Sequence, residues 1–175
     1  AAVYAIYPAA IFWTGYLAPE TLTAMLVVLL ALFGTKSAES RGAWLPVLTG
    51  LCLAATILTR SISLLLIPAV PLFFFIRRKE GAWRRTLLFL CGILAVVPWT
   101  VRNWAIQKAF VPVSAEGGVV LYIANNARSL AEPSGFYHGE NLAEFEGLSE
   151  TEIDRKFYSM ALDFIREHPA AYARL

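Results

Sequence analysis

The sequence predicts a mainly α-helical protein: a bundle of about five transmembrane helices followed by a small extracytoplasmic α/β segment. Hydrophobic residues make up 58% of the 175-residue chain and charged residues only 16%, and the mean hydropathy is +0.57. Soluble domains are nearer a quarter charged. Of the 13 acidic residues, all but Glu20, Glu39 and Glu80 lie beyond residue 101. We therefore predict a transmembrane helical region over 1–101 and an extracytoplasmic loop domain over 102–175 that ends in an amphipathic helix.

Five apolar segments fill the first region. They are residues 3–18, Thr21–Phe33, Trp44–Leu58, Ile62–Ile76 and Leu87–Val101. Several are shorter than the roughly 20 residues that a helix needs to cross the hydrocarbon core, so flanking small and aromatic residues must extend them. The third and fourth segments are separated by a very short polar link and together exceed one span. We interpret them as a tight hairpin or re-entrant pair.

The basic residues set the expected orientation. The loop Thr35–Ala43 carries two basic residues, and the loop Arg77–Arg85 carries five against a single acid. Short loops rich in Lys and Arg stay on the cytoplasmic side of a membrane. Both loops can be cytoplasmic only if an even number of crossings separates them. The hairpin formed by the third and fourth segments gives two crossings. Glu20, Arg60 and everything after Arg102 then lie on the opposite face.

The second region is more polar and mixed in pattern. Two short runs around a Gly-Gly pair are β-like: Phe110–Val113 and Val119–Ile123. Residues 125–147 are rich in turn-forming residues and are expected to form a loop. A helix should then begin at Ser149, because Glu152 completes a capping box with it and apolar residues recur at helical spacing as far as Phe164. Pro169 is expected to end or kink this helix.

Several other classes of site find no support in the sequence. Cys52 and Cys91 both lie in apolar runs and are expected to be buried thiols rather than a disulfide framework. His138 and His168 share no metal-ligand spacing with a Cys or an acid, so no metal is assigned and a divalent-metal requirement stays open. No P-loop, dinucleotide-binding fingerprint or nucleophile elbow is present, and no nucleic-acid partner is expected.

Glu20 is the acid that most suggests chemistry, because no other acid occurs in the first 38 residues and it lies between two apolar segments. An acid at a membrane boundary is costly unless it is paired or functional. It could orient a substrate hydroxyl or amine, support a general base or help to bind a metal. The alternative is structural: Pro19 and Glu20 begin a helix, and the acid complements the helix dipole.

Basic and amide side chains on the same expected face suit a phosphate. Arg60 could hold a lipid-linked phosphate by paired hydrogen bonds, and Arg102 with Asn103 directly follows the fifth segment. The alternatives are a snorkelling Arg60 and an Arg102 that anchors a helix end. We expect Glu20, Arg60 and Arg102 to converge beneath the polar domain, a set that would suit an anionic lipid carrier.

The residues around the Gly-Gly pair form a second candidate binding element. Glu116 precedes Gly117 and Gly118, which permit positive φ and close backbone approach. The amides of Asn125 and Asn126 could bind sugar hydroxyls. Paired asparagines are also common in turns, and that alternative stays open.

Four blocks, in order, resemble one family of membrane enzymes. They are Tyr7-Pro8 with Phe12-Trp13-Thr14-Gly15 and Pro19-Glu20-Thr21-Leu22; Leu58-Thr59-Arg60; Pro98-Trp99-Thr100-Val101-Arg102-Asn103 with Phe110-Val111-Pro112-Val113-Ser114-Ala115-Glu116-Gly117-Gly118 and Leu121-Tyr122-Ile123-Ala124-Asn125-Asn126; and Ala161 to Arg174. The resemblance is to GT-C-fold glycosyltransferases of the dolichyl-phosphate-mannose protein mannosyltransferase and aminoarabinose transferase type. Ser61 departs from a usual Pro, and Ala115-Glu116 departs from a usual Thr-Asn.

The resemblance implies a polyprenyl-phosphate-linked sugar as donor and a lipid, glycan or protein acceptor on the extracytoplasmic face. It implies an accessory catalytic role for Glu20 and phosphate binding by Arg60 and Arg102. The family's main catalytic carboxylate lies upstream of these residues, so we expect a fragment, cut at both ends, that is inactive alone. We expect an integral protein of a bacterial inner membrane, with an endoplasmic reticulum membrane left open.

Two other functions stay open. A non-enzymatic membrane transport or assembly protein would need polar residues that line a path, whereas the predicted helix interiors are nearly free of charge. An enzyme similar to O-antigen ligases or polymerases would share the substrate class but not the four blocks.

Overall fold

The computed structural model describes residues 19–127, 129 and 145–172, which are mainly helical. The α-helices are α1 (Pro19–Glu39), α2 (Trp44–Thr59), α3 (Leu66–Arg77), α4 (Ala82–Ile93), α5 (Val97–Gln107), α6 (Gly117–Ala124), α7 (Glu150–Glu167) and α8 (Pro169–Tyr172). Short 3₁₀ helices over Ser61–Leu65 and Leu94–Val96 lead into α3 and α5. The chain forms two compact units, Ala1–Trp99 and Thr100–Leu175. The first predicted segment, 3–18, lies outside the described residues.

Antiparallel helices build the first unit. At one end, the hydroxyl of Thr59, the last residue of α2, lies 3.1 Å from that of Thr23 in α1. At the other end, Nη2 of Arg77, the last residue of α3, lies 3.8 Å from Oε1 of Glu39 in α1. The chain therefore reverses at Arg60, and the predicted hairpin between the third and fourth apolar segments is confirmed. α2 packs against both α1 and α4.

The two basic loops meet at one end of this unit. Arg84 Nη1 donates to the carbonyl oxygen of Arg41 at 3.0 Å, and Arg78 Nη1 donates to that of Glu39 at 3.5 Å. Gly81 makes the turn between α3 and α4 with φ of 72°, a left-handed conformation that glycine adopts without steric cost. The expectation that both loops lie at the same end of the helices is confirmed.

Two glycines bring α2 and α4 into backbone contact. A Cβ atom on Gly50 would overlap the carbonyl oxygen of Phe89, and one on Gly92 would overlap that of Val47. Small residues at a helix crossing permit this close approach. Beside the crossing, the buried rings of Phe74 and Phe89 meet edge to face with centroids 6.3 Å apart. The core of the first unit is centred on this crossing.

Two helical stretches are long and apolar enough to cross a membrane. They are α1, with 21 residues, and the continuous stretch Ala82–Gln107, with 26 residues. A helix of that shorter length spans about 31 Å, close to the thickness of a hydrocarbon core. α2 and the stretch Ser61–Arg77 are also apolar but shorter. Large apolar side chains such as Val28, Ile62 and Leu65 are mostly exposed on these helices.

The described part of the second unit contains no strand, so the predicted α/β segment is wrong there. Residues 110–113 are irregular, and Thr100 Oγ1 holds them to α5 by donating to the carbonyl oxygen of Pro112 at 2.9 Å. The second β-like run, Val119–Ile123, lies inside α6. Periodicity does not distinguish a short buried strand from a short buried helix. In the structure this segment is helical and packs against α7.

α7 begins and ends as the sequence predicts. Ser149 accepts a hydrogen bond from the backbone N–H of Glu152, and Glu152 Oε2 accepts one from the backbone N–H of Ser149 at 2.8 Å, which completes the capping box. The helix ends ahead of Pro169. Its buried Phe157 packs against Tyr122 of α6, with ring centroids 5.2 Å apart. Most of the predicted 125–147 loop lies outside the described residues.

The two cysteines differ in exposure. Both are free thiols, but Cys52 is only half-buried in α2 and Cys91 is exposed on α4. The expectation of two buried thiols is therefore wrong for Cys91. Phe89 and Gly92 are on the buried face of α4. Cys91, next to Gly92 in the sequence, lies about 100° further around the helix, which places it outside that face.

Candidate functional site

An ion pair joins two charged residues that the sequence places between apolar segments of the first unit, away from the two basic loops. Glu20 lies in the first turn of α1, and Arg60 directly follows α2. Nη2 of Arg60 donates a hydrogen bond to Oε1 of Glu20. The antiparallel packing of α1 against α2 brings these residues together at the open end of the helical hairpin. Their positions in the sequence predict that they share one face but do not indicate that they bind each other.

The hydroxyls next to this ion pair tie the same two helices. Thr23 Oγ1 donates to the carbonyl oxygen of Pro19 at 2.7 Å and lies 3.1 Å from the hydroxyl oxygen of Thr59. Thr59 in turn donates to the carbonyl oxygen of Thr56 at 2.8 Å. These bonds fix the start of α1 against the end of α2, so the backbones on both sides of the ion pair are held.

The ion pair is accessible. The side chains of Arg60 and Glu20 are 46% and 48% exposed, so a molecule arriving from outside can reach both. A guanidinium has five N–H donors and a carboxylate has several acceptor positions. The bond between them leaves most of that capacity for a ligand. The pair therefore presents donors for a phosphate or carboxylate beside an acceptor for a hydroxyl or amine.

The structure also agrees with the other role considered for Glu20, that of an acid at the start of a helix. α1 begins at Pro19, and the Glu20 carboxylate lies in its first turn, where it complements the helix dipole. A helix-start role and an ion pair with Arg60 are compatible. Arg60 does not extend freely as a snorkelling side chain would, because its guanidinium donates a hydrogen bond to the Glu20 carboxylate on α1.

Arg102 and Asn103 belong to the second unit, on α5. Arg102 is exposed and its Nη1 lies 3.4 Å from Oδ1 of Asn103. Asn103 is 3% exposed, and its Nδ2 donates to the carbonyl oxygens of Val111 at 3.3 Å and Val113 at 2.9 Å. Asn103 thus holds the irregular segment to α5. The convergence of Arg102 with the Glu20–Arg60 ion pair stays a prediction.

The two glycines that begin α6 serve helix packing. The backbone N–H of Gly118 donates to Oδ1 of Asp154 on α7 at 2.6 Å, and a Cβ atom on Gly118 would overlap the Asp154 carbonyl oxygen. A Cβ atom on Gly117 would overlap the hydroxyl of Tyr158. Asp154, which sequence analysis did not single out, caps α6 from another helix. Glu116 precedes the pair with an exposed side chain.

The paired asparagines close the end of α6. Nδ2 of Asn125 donates to the carbonyl oxygen of Leu121 at 2.9 Å, and Asn125 is 6% exposed. Nδ2 of Asn126 donates to the carbonyl oxygen of Tyr122 at 2.7 Å, and its Oδ1 accepts from the backbone N–H of Ser129 at 2.9 Å. These local bonds between side chains and backbone are the ones expected if the paired asparagines form a turn. Sugar binding by either amide stays a prediction that would require these bonds to be exchanged.

Metal ligands are not gathered anywhere in 19–127, 129 or 145–172: no three His, Cys, Asp or Glu side chains come together there as a metal site. The chain matches no protein-family model, no curated protein and no solved structure. The resemblance of the four sequence blocks to GT-C-fold transferases therefore stays a proposal, and the Glu20–Arg60 ion pair is the geometric feature on which a function can be argued.

Proposed function

We propose that this chain is part of a membrane glycosyltransferase that transfers a sugar from a polyprenyl-phosphate donor to an extracytoplasmic acceptor. The observation that carries the proposal is the accessible ion pair between Glu20 and Arg60 at the end of the first unit. The resemblance of the four sequence blocks supplies the substrate class. The proposal assigns Arg60 to the donor phosphate and Glu20 to an accessory role beside it.

The proposed membrane location draws on length, composition and charge. α1 and the stretch Ala82–Gln107 are long and apolar enough to span. We propose that α2 and the stretch Ser61–Arg77 cross with them; the remaining crossing of the predicted five, residues 3–18, lies outside the described residues. The basic loops meet at one end of the first unit, and the positive-inside rule assigns that end to the cytoplasm. The Glu20–Arg60 pair then faces outward, in what we take to be a bacterial inner membrane.

The proposed reaction is an inverting displacement at the anomeric carbon. The acceptor hydroxyl or amine forms a bond to that carbon as the bond from the carbon to the phosphate oxygen breaks. The electron pair leaves on the polyprenyl phosphate, and the acceptor proton passes to a base that is not assigned within this chain. Free N–H groups of Arg60 would bind the phosphate oxygens, where negative charge grows during the step.

Glu20 would act in two ways in this reaction. Its bond to Arg60 orients the guanidinium before the donor arrives, which reduces the reorganisation needed in the transition state. Its remaining acceptor positions would bind an acceptor hydroxyl or amine close to the phosphate. Both tasks need the carboxylate in its ionised form and near the exposed surface.

The test is transfer of a labelled sugar from a synthetic polyprenyl phosphate by the complete protein in membranes. Glu20→Gln and Arg60→Gln should each lower kcat/KM by about a hundredfold, the order expected for losing a preorganised charge-stabilising contact. Arg60→Lys keeps the charge but loses the forked geometry, and should retain part of the activity.

Glu39→Gln is the matched control, because it removes the acid of an exposed ion pair, with Arg77, at the opposite end of the same unit. It should transfer sugar at the unmodified rate. Normal turnover in both Glu20→Gln and Arg60→Gln would remove the assigned roles, and no transfer from any polyprenyl-phosphate sugar would remove the proposed function.

A further inference from the structure

The end of the first unit opposite the Glu20–Arg60 pair is strongly basic. Seven cations lie on the two loops there: Lys36, Arg41, Arg77, Arg78, Lys79, Arg84 and Arg85. Only Glu39 and Glu80 oppose them, which leaves a net charge of +5. We call these nine residues the basic end. Its loops are tied together through the bond from Arg84 to the Arg41 carbonyl, so the charges belong to one surface.

The positive charge of the basic end is largely uncompensated. Arg77 lies 3.8 Å from Glu39 and Arg78 lies 3.7 Å from Glu80, and both are exposed pairs. Within the part of the chain that the structure describes, the other five cations have no carboxylate within ion-pair distance. Like charges held this close together attract an anion from outside.

Arg85 makes the arrangement rigid. It is 6% exposed, and its Nη1 donates to the carbonyl oxygens of Glu80 at 2.9 Å and Arg78 at 3.4 Å. These bonds fix the turn between α3 and α4 that carries Arg78, Lys79 and Glu80. Because its side-chain N–H groups donate to carbonyl oxygens rather than to a carboxylate, the Arg85 charge is not cancelled by an ion pair.

Exposed apolar residues flank the basic end. Ile76, just before the basic turn, is 72% exposed, and Trp83, just after it, is 65% exposed. Trp44, which begins α2 after the other basic loop, is 62% exposed. Indole rings next to cations are typical of the level of the lipid headgroups. A ligand that suits this surface combines a negative headgroup with an apolar chain.

We propose that the basic end binds anionic phospholipids, with headgroup phosphates on the exposed cations of the two loops and acyl chains along Ile76 and Trp83. A soluble phosphate would satisfy the cations but not the adjoining apolar side chains. The inference shares only the membrane location with the proposed function and does not depend on sugar transfer.

The experiment measures lipid retention by the purified complete protein. The protein is equilibrated in detergent micelles that contain equal amounts of phosphatidylglycerol and phosphatidylcholine, freed of unbound lipid, and its bound lipids are quantified. Arg41→Gln/Lys79→Gln removes two exposed cations that make no side-chain contact with an acid. The ratio of bound phosphatidylglycerol to phosphatidylcholine should fall roughly tenfold, because each basic residue near an anionic lipid surface adds appreciably to binding.

Two matched controls accompany this variant. Arg155→Gln/Lys156→Gln removes the same two charge types from α7 and should leave the ratio unchanged. Arg41→Lys/Lys79→Arg keeps the charges and should also leave it unchanged. An unaltered ratio in Arg41→Gln/Lys79→Gln, or an equal fall in the α7 control, would overturn the proposal. So would displacement of the lipid by excess glycerol 3-phosphate, which would identify a site for a free anion.

The result is separable from the sugar-transfer test. The two variants at the basic end leave Glu20 and Arg60 untouched, so sugar transfer in detergent should continue in both. Loss of lipid preference with normal transfer supports the lipid site alone. A normal lipid preference with loss of transfer in Arg60→Gln supports the proposed function alone.

Discussion

Arg60 reaches back 40 positions to donate a hydrogen bond to the carboxylate of Glu20. Arg60 directly follows α2 and Glu20 lies in the first turn of α1, so only the packing of the two helices brings these residues together. The bond links a short polar turn to the first turn of a long apolar helix. It also presents a donor-rich cation and a carboxylate together at an accessible place, at the end of the first unit away from the basic loops.

We predict that this ion pair matters more for activity than for stability. Exposed ion pairs contribute about 0–1 kcal/mol, so Glu20→Gln or Arg60→Gln should lower the free energy of unfolding by no more than that. The exchanged double variant Glu20→Arg/Arg60→Glu should restore the ion pair but not sugar transfer, because each charge would lie on the wrong side of the pair; a cation in the first turn of α1 also opposes the helix dipole. Thermal unfolding in detergent and the transfer assay measure the two quantities. A swap that restores full transfer would show that only the pairing, and not the position of each charge, is needed.

We predict that the crossing of α2 and α4 tolerates no side chain at its glycines. Gly50→Val and Gly92→Val should each destabilise the first unit by about 1–3 kcal/mol or more, since overpacking forces the backbones apart. Unfolding in denaturant followed by circular dichroism measures the loss.

Gly34→Ala is the matched control for the crossing. A Cβ atom there would lie 3.8 Å from Thr49 Cγ2, an ordinary contact. Because alanine has the higher helix propensity, this variant should unfold at the same or a higher denaturant concentration. Equal destabilisation by all three substitutions would contradict the close approach of the backbones.

We predict that two buried hydroxyls can be removed without loss of stability. Oγ of Ser37 and Oγ1 of Thr86 are buried and have no hydrogen-bond partner within the described residues. A buried polar group without a partner costs about 1–3 kcal/mol. Ser37→Ala and Thr86→Val should therefore be neutral or stabilising by about 1 kcal/mol in thermal unfolding. Thr49→Val is the control, because its hydroxyl donates to the carbonyl oxygen of Leu45 at 2.8 Å, and it should gain nothing.

We predict that α7 depends on its capping box and on pH. Ser149→Ala should cost about 1 kcal/mol, the usual value of an N-cap. Hydrogen bonds from the backbone and side chain of Ser149 hold the pKa of Glu152 below its usual value of about 4.5. A lowered carboxylate pKa in the folded state contributes stability that is present above pH 4.5 and is lost as the pH falls through the folded-state pKa.

Helical circular dichroism across an acid titration measures this effect. Ser149→Ala should remove part of the pH dependence, because Glu152 then loses the hydroxyl that favours its charged form. Ser159→Ala is the control: its hydroxyl, 3.3 Å from Asp163, lies on the exposed side of α7 away from the cap. If Ser149→Ala leaves the acid transition unchanged, the capping box is not the cause of the pH dependence.

We predict that Asn103 is needed for the second unit irrespective of any substrate. Its amide donates to two backbone carbonyls, and it is buried. Asn103→Leu should leave both carbonyls without that donor and cost about 1–3 kcal/mol. Protection of the backbone amides of Phe110, Val111 and Val113 from hydrogen exchange reports the loss. Normal protection with impaired sugar transfer would instead indicate a substrate contact.

Local signals in the sequence predicted the features that depend on neighbours in the chain. The capping box at Ser149 and the helix end before Pro169 follow from short-range chemistry, and the reversal at Arg60 follows from the combined length of the two apolar segments that flank it. The fifth apolar segment was predicted to begin at Leu87, whereas its helix begins five residues earlier, at Ala82, directly after the turn at Gly81. The β-like interpretation of Val119–Ile123 was wrong, since a short apolar run has no period that separates strand from helix.

The composition by itself determined that this is an α-rich protein with apolar helices, and the basic loops determined which helix ends belong together. Only the tertiary structure decided that Arg60 bonds to Glu20, that the Gly117-Gly118 pair serves packing against Asp154 and Tyr158, and that Asn103 holds a loop. Such contacts join residues far apart in the chain. They depend on how closely two helices approach and at what register, and no local periodicity specifies that distance.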